Sequence, residues 1–80
     1  MIRVLFFGPV AERAGERQID VPFRDGLCWQ DVRDILRPQY PEAFALVSIT
    51  AVDGERVREE DRALLADGAE IVFMSRFSGG

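Results

Sequence analysis

The chain has 80 residues, 48% of them apolar and 30% charged, and a formal net charge of −4 at pH 7. A chain this short buries only about 60 to 65% of the surface its unfolded form exposes, which allows one domain with a simple core of one sheet and one main helix. The acidic balance argues against nucleic acid, whose recognition begins with a basic face, and the sequence offers neither a membrane-length apolar run nor a membrane-surface helix.

Ile2 to Phe7 is apolar on both alternating faces apart from Arg3, the pattern of a central strand covered on both sides. Gly8-Pro9 breaks it. A short helix follows from Pro9 to Ala14, with proline near its start and Gly15 just past its end. Between Arg17 and Phe23, Ile19, Val21 and Phe23 alternate with Gln18, Asp20 and Pro22, which predicts a strand with one wet face near an edge. After Asp25-Gly26, the helical spacing of Cys28, Val32, Ile35 and Leu36 predicts the main helix, ended near Arg37 by Pro38. Asp31 stands three residues after Cys28, as a capping box requires, although cysteine caps poorly beside serine or threonine. Tyr40 to Leu46 reads as an irregular crossing with a helical turn. Ser48 to Val52 and Glu55 to Arg58 flank Asp53-Gly54, a preferred hairpin turn pair. Glu59-Glu60-Asp61 reads as a solvated loop rather than a metal site, and Asp67-Gly68 launches a second doubly apolar strand from Glu70 to Met74. If the two doubly apolar strands lie side by side, the first and last strands are central and parallel. That is an α+β, β-grasp (ubiquitin-like) arrangement: a mixed sheet packed on one main helix, in a single domain over residues 1–80.

The chemistry available is narrow. Histidine is absent, which removes the commonest general base and neutral metal ligand. Cys28 is the only cysteine, so no disulfide or cysteine cluster forms within one chain. All ten basic residues are arginine, so no lysine amine is present to accept an isopeptide bond. Cys28 is read as a core residue rather than a sulfur-handling one, since no histidine activates it, although a helix N-terminus can lower a thiol pKa. Met1-Ile2-Arg3 leads directly into a strand pattern, from which a cytoplasmic location is expected. The remaining candidate is the tail Phe77-Ser78-Gly79-Gly80. Glycine and serine at a terminus are commonly frayed, but a tail joined to a central strand is aimed. From Arg76 to Gly80 it reaches roughly 17 Å at about 3.3 to 3.6 Å per residue, far enough to enter another protein's active site. Gly79 and Ser78 are then the threading residues and the Gly80 carboxylate the reacting group.

Taken together, Val4-Leu5-Phe6-Phe7, Pro9-Val10-Ala11-Glu12-Arg13-Ala14-Gly15, Ala51-Val52-Asp53-Gly54, Leu65 to Phe73 and Ser78-Gly79-Gly80 resemble the MoaD/ThiS sulfur-carrier family, most closely its molybdopterin synthase small-subunit branch. The chain departs from that pattern at Ser75-Arg76, where many members carry a proline pair, and at Phe77, where they carry a smaller aliphatic. The resemblance implies a carrier that is not catalytic on its own. Its Gly80 carboxylate is adenylated by an E1-like adenylyltransferase using ATP, is converted to a thiocarboxylate by a persulfide sulfur donor, and gives its sulfur to cyclic pyranopterin monophosphate inside the large subunit of molybdopterin synthase. No metal or cofactor is implied for the domain itself. A thiamin-thiazole or other biosynthetic carrier, or a ubiquitin-like modifier ending on a target lysine, uses the same activated Gly-Gly. A partner-binding patch is expected on the sheet face away from the main helix, from Phe7, Val57, Met74, Arg76 and Phe77, because one helix covers only one face of doubly apolar strands.

Overall fold

The computed structural model describes residues 1–76. The chain forms β1 (Ile2–Phe6), α1 (Gly8–Ala14), β2 (Gln18–Val21), α2 (Trp29–Leu36), α3 (Pro41–Phe44), β3 (Ile49–Val52), β4 (Glu55–Val57) and β5 (Glu70–Met74). The five strands make one mixed sheet in the order β2-β1-β5-β3-β4. The two doubly apolar strands are the inner pair: β1 and β5 run parallel, with Val4 opposite Ile71 and Phe6 opposite Phe73. Their neighbours β2 and β3 are antiparallel to them, and β4 closes the edge as a hairpin with β3. This is the β-grasp fold that the strand pattern predicts.

Local rules set the boundaries. Pro9 occupies the first turn of α1, where its missing N–H is no loss, and Gly15 ends the helix at φ 74°, its N–H donating to the Ala11 carbonyl. In the β3–β4 hairpin Asp53 and Gly54 take φ values of 49° and 85°, the double positive φ of the turn that matches strand twist. At the start of α2, the Cys28 N–H and Sγ both donate to the Asp31 carboxylate, at 3.0 and 3.2 Å. Asp31 therefore supplies the strong half of the capping box, compensating for the weak cysteine. Those two bonds hold the Asp31 carboxyl below its ordinary pKa.

The core lies between the sheet and α2. Ile2, Val4, Phe6, Ile71 and Phe73 project from the inner strands and are essentially inaccessible, and Val32 and Leu36 meet them from the helix. An aromatic cluster closes the end toward α3, where the Phe44 and Phe73 rings stand 4.9 Å apart, edge to face, and Phe6 lies 5.6 Å from Tyr40. The acidic loop after β4 is more constrained than its composition implies. Buried Gln30 donates from Nε2 to the carbonyls of Glu59 and Asp61, each at 2.7 Å, and the Trp29 indole N–H donates to Asp61 at 3.1 Å. The loop's backbone is thus tied to α2, the Glu59 carboxylate pairs with Arg33 of the same helix, and the Asp61 carboxylate accepts the Arg58 N–H. Among the described residues, no helix is long and apolar enough to cross a membrane.

Candidate functional site

The site begins where the chain leaves β5. Register pairs Met74 with Ile49 at the end of the β3–β5 ladder, and Ser48 extends that pairing by one residue, its N–H donating to the Met74 carbonyl at 3.0 Å. The Ser48 hydroxyl then accepts the Arg76 N–H at 2.8 Å. One residue thus holds the chain on both sides of Ser75, which is itself buried. A proline at position 76 could not make this bond because it has no N–H. The Ser75-Arg76 pair, in place of two prolines, exchanges ring stiffness for a hydrogen bond to Ser48, so the base of the tail is anchored rather than loosened. Phe77, Ser78, Gly79 and Gly80, which carry the expected interface, threading and acyl-carrier roles, lie outside the described residues.

Strand alternation sorts the side chains around this exit. Ile71 and Phe73 face the helix, so Val72 and Met74 face away, and register places Leu5, Ala51 and Ile49 beside them. Phe7 continues the β1 direction, with extended φ and ψ of −117° and 148° and its N–H donating to the Phe73 carbonyl at 3.2 Å. It is 46% exposed. Leu5, Phe7, Ile49, Ala51, Val72 and Met74 therefore form an apolar stripe on the face away from α2, with Phe7 exposed, Leu5, Ile49, Ala51 and Met74 half-buried and Val72 buried among them. The stripe runs toward the end of the sheet from which the tail departs. Its exposed part, centred on Phe7, makes this face a candidate contact surface. The register places Phe7 and Met74 on this face and leaves Arg76 exposed.

Val57 belongs elsewhere, which corrects the expected patch. It pairs with Thr50, which in turn pairs with Phe73, so all three share the helix-facing side, and Val57 packs against the core cluster. The reason is parity: Arg56 and Arg58 flank it, and on an edge strand the apolar residue turns to the core while its neighbours stay wet. That alternation was present in the sequence. Leu5, Ile49, Ala51 and Val72 are not in the expected patch, although the spacing of Leu5 to Phe7 and Val72 to Met74 already puts each pair on one face. Nothing in the sequence singles out Ser48, because its role depends on which strand lies beside β5. Cys28 is buried at the helix start with its thiol directed to Asp31.

Comparison with known proteins identifies the family and the fold. The model of the ThiS family matches residues 4–80. The molybdopterin synthase sulfur carrier subunit of Caenorhabditis elegans is 31% identical over 81 residues, covering 99% of this chain and 96% of that protein. The protein of the same name from Caenorhabditis briggsae is 32% identical with the same coverage. Among solved structures, SAMP1 from Haloferax volcanii superposes with a TM-score of 0.77 at 22% identity, covering 99% of this chain and 98% of that one, a likeness of fold. With a match that runs from β1 through the terminal glycines, the chain belongs to the ThiS family.

Proposed function

We propose that this protein is a sulfur carrier of molybdenum cofactor biosynthesis, acting as the small subunit of molybdopterin synthase. The observation that carries the reading is the near full-length likeness to sulfur carrier subunits, in a chain whose Gly79-Gly80 end follows a central strand. A carboxylate is a poor electrophile, so its oxygen must first become a good leaving group. In the proposed sequence the Gly80 carboxylate attacks ATP in an E1-like adenylyltransferase, giving an acyl adenylate and pyrophosphate. A persulfide sulfur then displaces AMP, and a thiol cleaves the resulting sulfur–sulfur bond to free the thiocarboxylate. The large synthase subunit receives the loaded tail, with the apolar stripe around Phe7 and Met74 as its contact, and the sulfur passes to cyclic pyranopterin monophosphate. Two loaded carriers supply the two sulfurs of the dithiolene.

The test has two arms. Intact mass of the protein isolated from cells should show one oxygen replaced by sulfur in a fraction of the chains. Covalent adducts on many target proteins would instead identify a modifier. ATP–pyrophosphate exchange with the activating enzyme should require the native length. Removing Gly80 sets the carboxylate back by about 3.5 Å, and a displacement of even about 1 Å costs roughly a hundredfold in rate. Equal exchange by the native chain, the chain lacking Gly80 and a chain extended by one alanine would mean that the Gly80 carboxylate is not the activated group.

A further inference from the structure

A second feature lies at the same end of the sheet, on the helix side. A cleft of about 730 Å³ opens between α2, the connection from α3 to β3, and the edge strand β4. Four of the chain's ten arginines line it: Arg33, Arg37, Arg56 and Arg58. Among the described residues that line it, Glu59 is the only carboxylate, and it is already engaged by Arg33 at 2.5 Å. Arg33 is further occupied by Asp34 at 3.1 Å and by the Trp29 ring, 5.1 Å away. Partial burial opposes its charge, but the bonds to Glu59 and Asp34 outweigh this and raise its pKa. The other three guanidinium groups are different. Arg37, Arg56 and Arg58 are exposed and form no ion pair among the described residues. On a chain of net charge −4, three uncompensated cations around one cleft form a local positive field against an acidic background.

We propose that this cleft receives a carboxylate-rich segment of the protein that takes up the tail for activation, a second contact that orients the carrier as the tail is threaded. The inference rests on the carrier reading above. Two observations favour a protein segment over a small anion. The three residues are exposed and distributed over the end of α2, the edge strand and the residue after it, with Arg56 based on the opposite face of that strand, so they present a surface rather than an enclosing cage. Exposed charges are screened beyond about 8 Å at physiological ionic strength, so they act on a partner already at the surface. Ser48 both lines the cleft and holds the Arg76 N–H, so a partner that encloses the residues after Arg76 comes against the cleft's rim. The apolar stripe supplies contact on one face of the sheet, Arg37 and Arg58 border the cleft on the other, and Arg56, paired with Ala51 of the stripe, leaves the edge strand on the stripe's face, so charge sets orientation across that edge.

The experiment compares two triple variants of the full chain in ATP–pyrophosphate exchange with the activating enzyme, across ionic strengths. The first is Arg37→Ala, Arg56→Ala and Arg58→Ala; the second is Arg13→Ala, Arg24→Ala and Arg62→Ala, which removes the same charge from exposed positions away from the cleft. All six residues are exposed, so both variants should melt close to the unaltered chain. The cleft variant should show KM raised roughly tenfold or more at low salt, with kcat at saturation unchanged and the difference shrinking as salt rises. The control should stay within about twofold. Equal KM changes in the two variants overturn the inference while leaving the carrier reading intact. Saturable shifts of cleft amides on titration with inorganic phosphate, with no KM change in the cleft variant, would assign the cleft to a small anion and also overturn it. Absence of exchange with the unaltered chain itself overturns the carrier reading, and the inference falls with it.

Discussion

Replacing Ser48 with alanine isolates the anchor at the base of the tail. The substitution leaves the backbone bond from residue 48 to the Met74 carbonyl and removes only the acceptor for the Arg76 N–H, a bond of 2.8 Å. A neutral hydrogen bond contributes about 0.5 to 1.5 kcal/mol net. Ser48 and Arg76 are both exposed, so water replaces the lost partner and the lower part of that range applies, about 0.5 to 1 kcal/mol. Since about 1.4 kcal/mol is a factor of ten, local opening at Arg76 should become roughly two to five times more frequent. The global melting point should fall by no more than about 4 to 8 °C, the shift expected for 1 kcal/mol in a domain of this size. Amide hydrogen exchange followed by NMR separates the two effects: the Arg76 amide should exchange roughly two to five times faster, while those of Val72 and Phe73 follow global stability. ATP–pyrophosphate exchange should show KM raised by a similar factor, because a less anchored tail enters the partner from a broader ensemble. Unchanged protection at Arg76, or a loss spread evenly along β5, would refute the idea that Ser48 specifically anchors the tail.

Phe7→Asp should weaken association with the large synthase subunit by at least about 2 kcal/mol, the scale of an interface anchor, measured by calorimetry; with Phe7 46% exposed, the monomer should remain folded. Asp31→Asn should flatten the acid limb of the stability curve. The folded-state pKa of Asp31 is depressed, so its contribution is present above the unfolded value of about 3.9 and is lost as pH falls through the lower folded value; an unchanged slope in acid urea titrations would count against the capping bond. Phe73→Ala should cost about 3 to 5 kcal/mol, read from the urea midpoint, because a fully buried ring at the centre of the aromatic cluster is removed. Cys28→Ser should preserve sulfur transfer in a reconstituted assay, serine being the better helix cap; complete loss of transfer in a folded variant would return Cys28 to the chemistry.

What the sequence determined by itself was whatever depends on near neighbours in the chain. Doubly apolar runs identified β1 and β5 as inner strands, and Pro9, Gly15 and Asp53-Gly54 marked ends and turns, because steric limits on φ act within a few residues. The Gly79-Gly80 end could be recognised for the same reason, since freedom from Cβ atoms is a property of those residues alone. Tertiary structure decided what depends on register between distant strands. The pairing of Val57 with Thr50 turned Val57 toward the core, and the meeting of β3 with β5 brought Ser48 to Arg76 across 28 positions. Arg37, Arg56 and Arg58 read as unrelated surface charges until the end of α2 and the edge strand border one cleft. Side chains alternate faces with a period of two, so a one-residue change in register would reverse each strand's assignment to the core or the surface. Only packing of the whole sheet against α2 selects the register that buries Phe6, Ile71 and Phe73 together, and with that choice the apolar stripe, the anchor and the cleft take their places around the tail's exit.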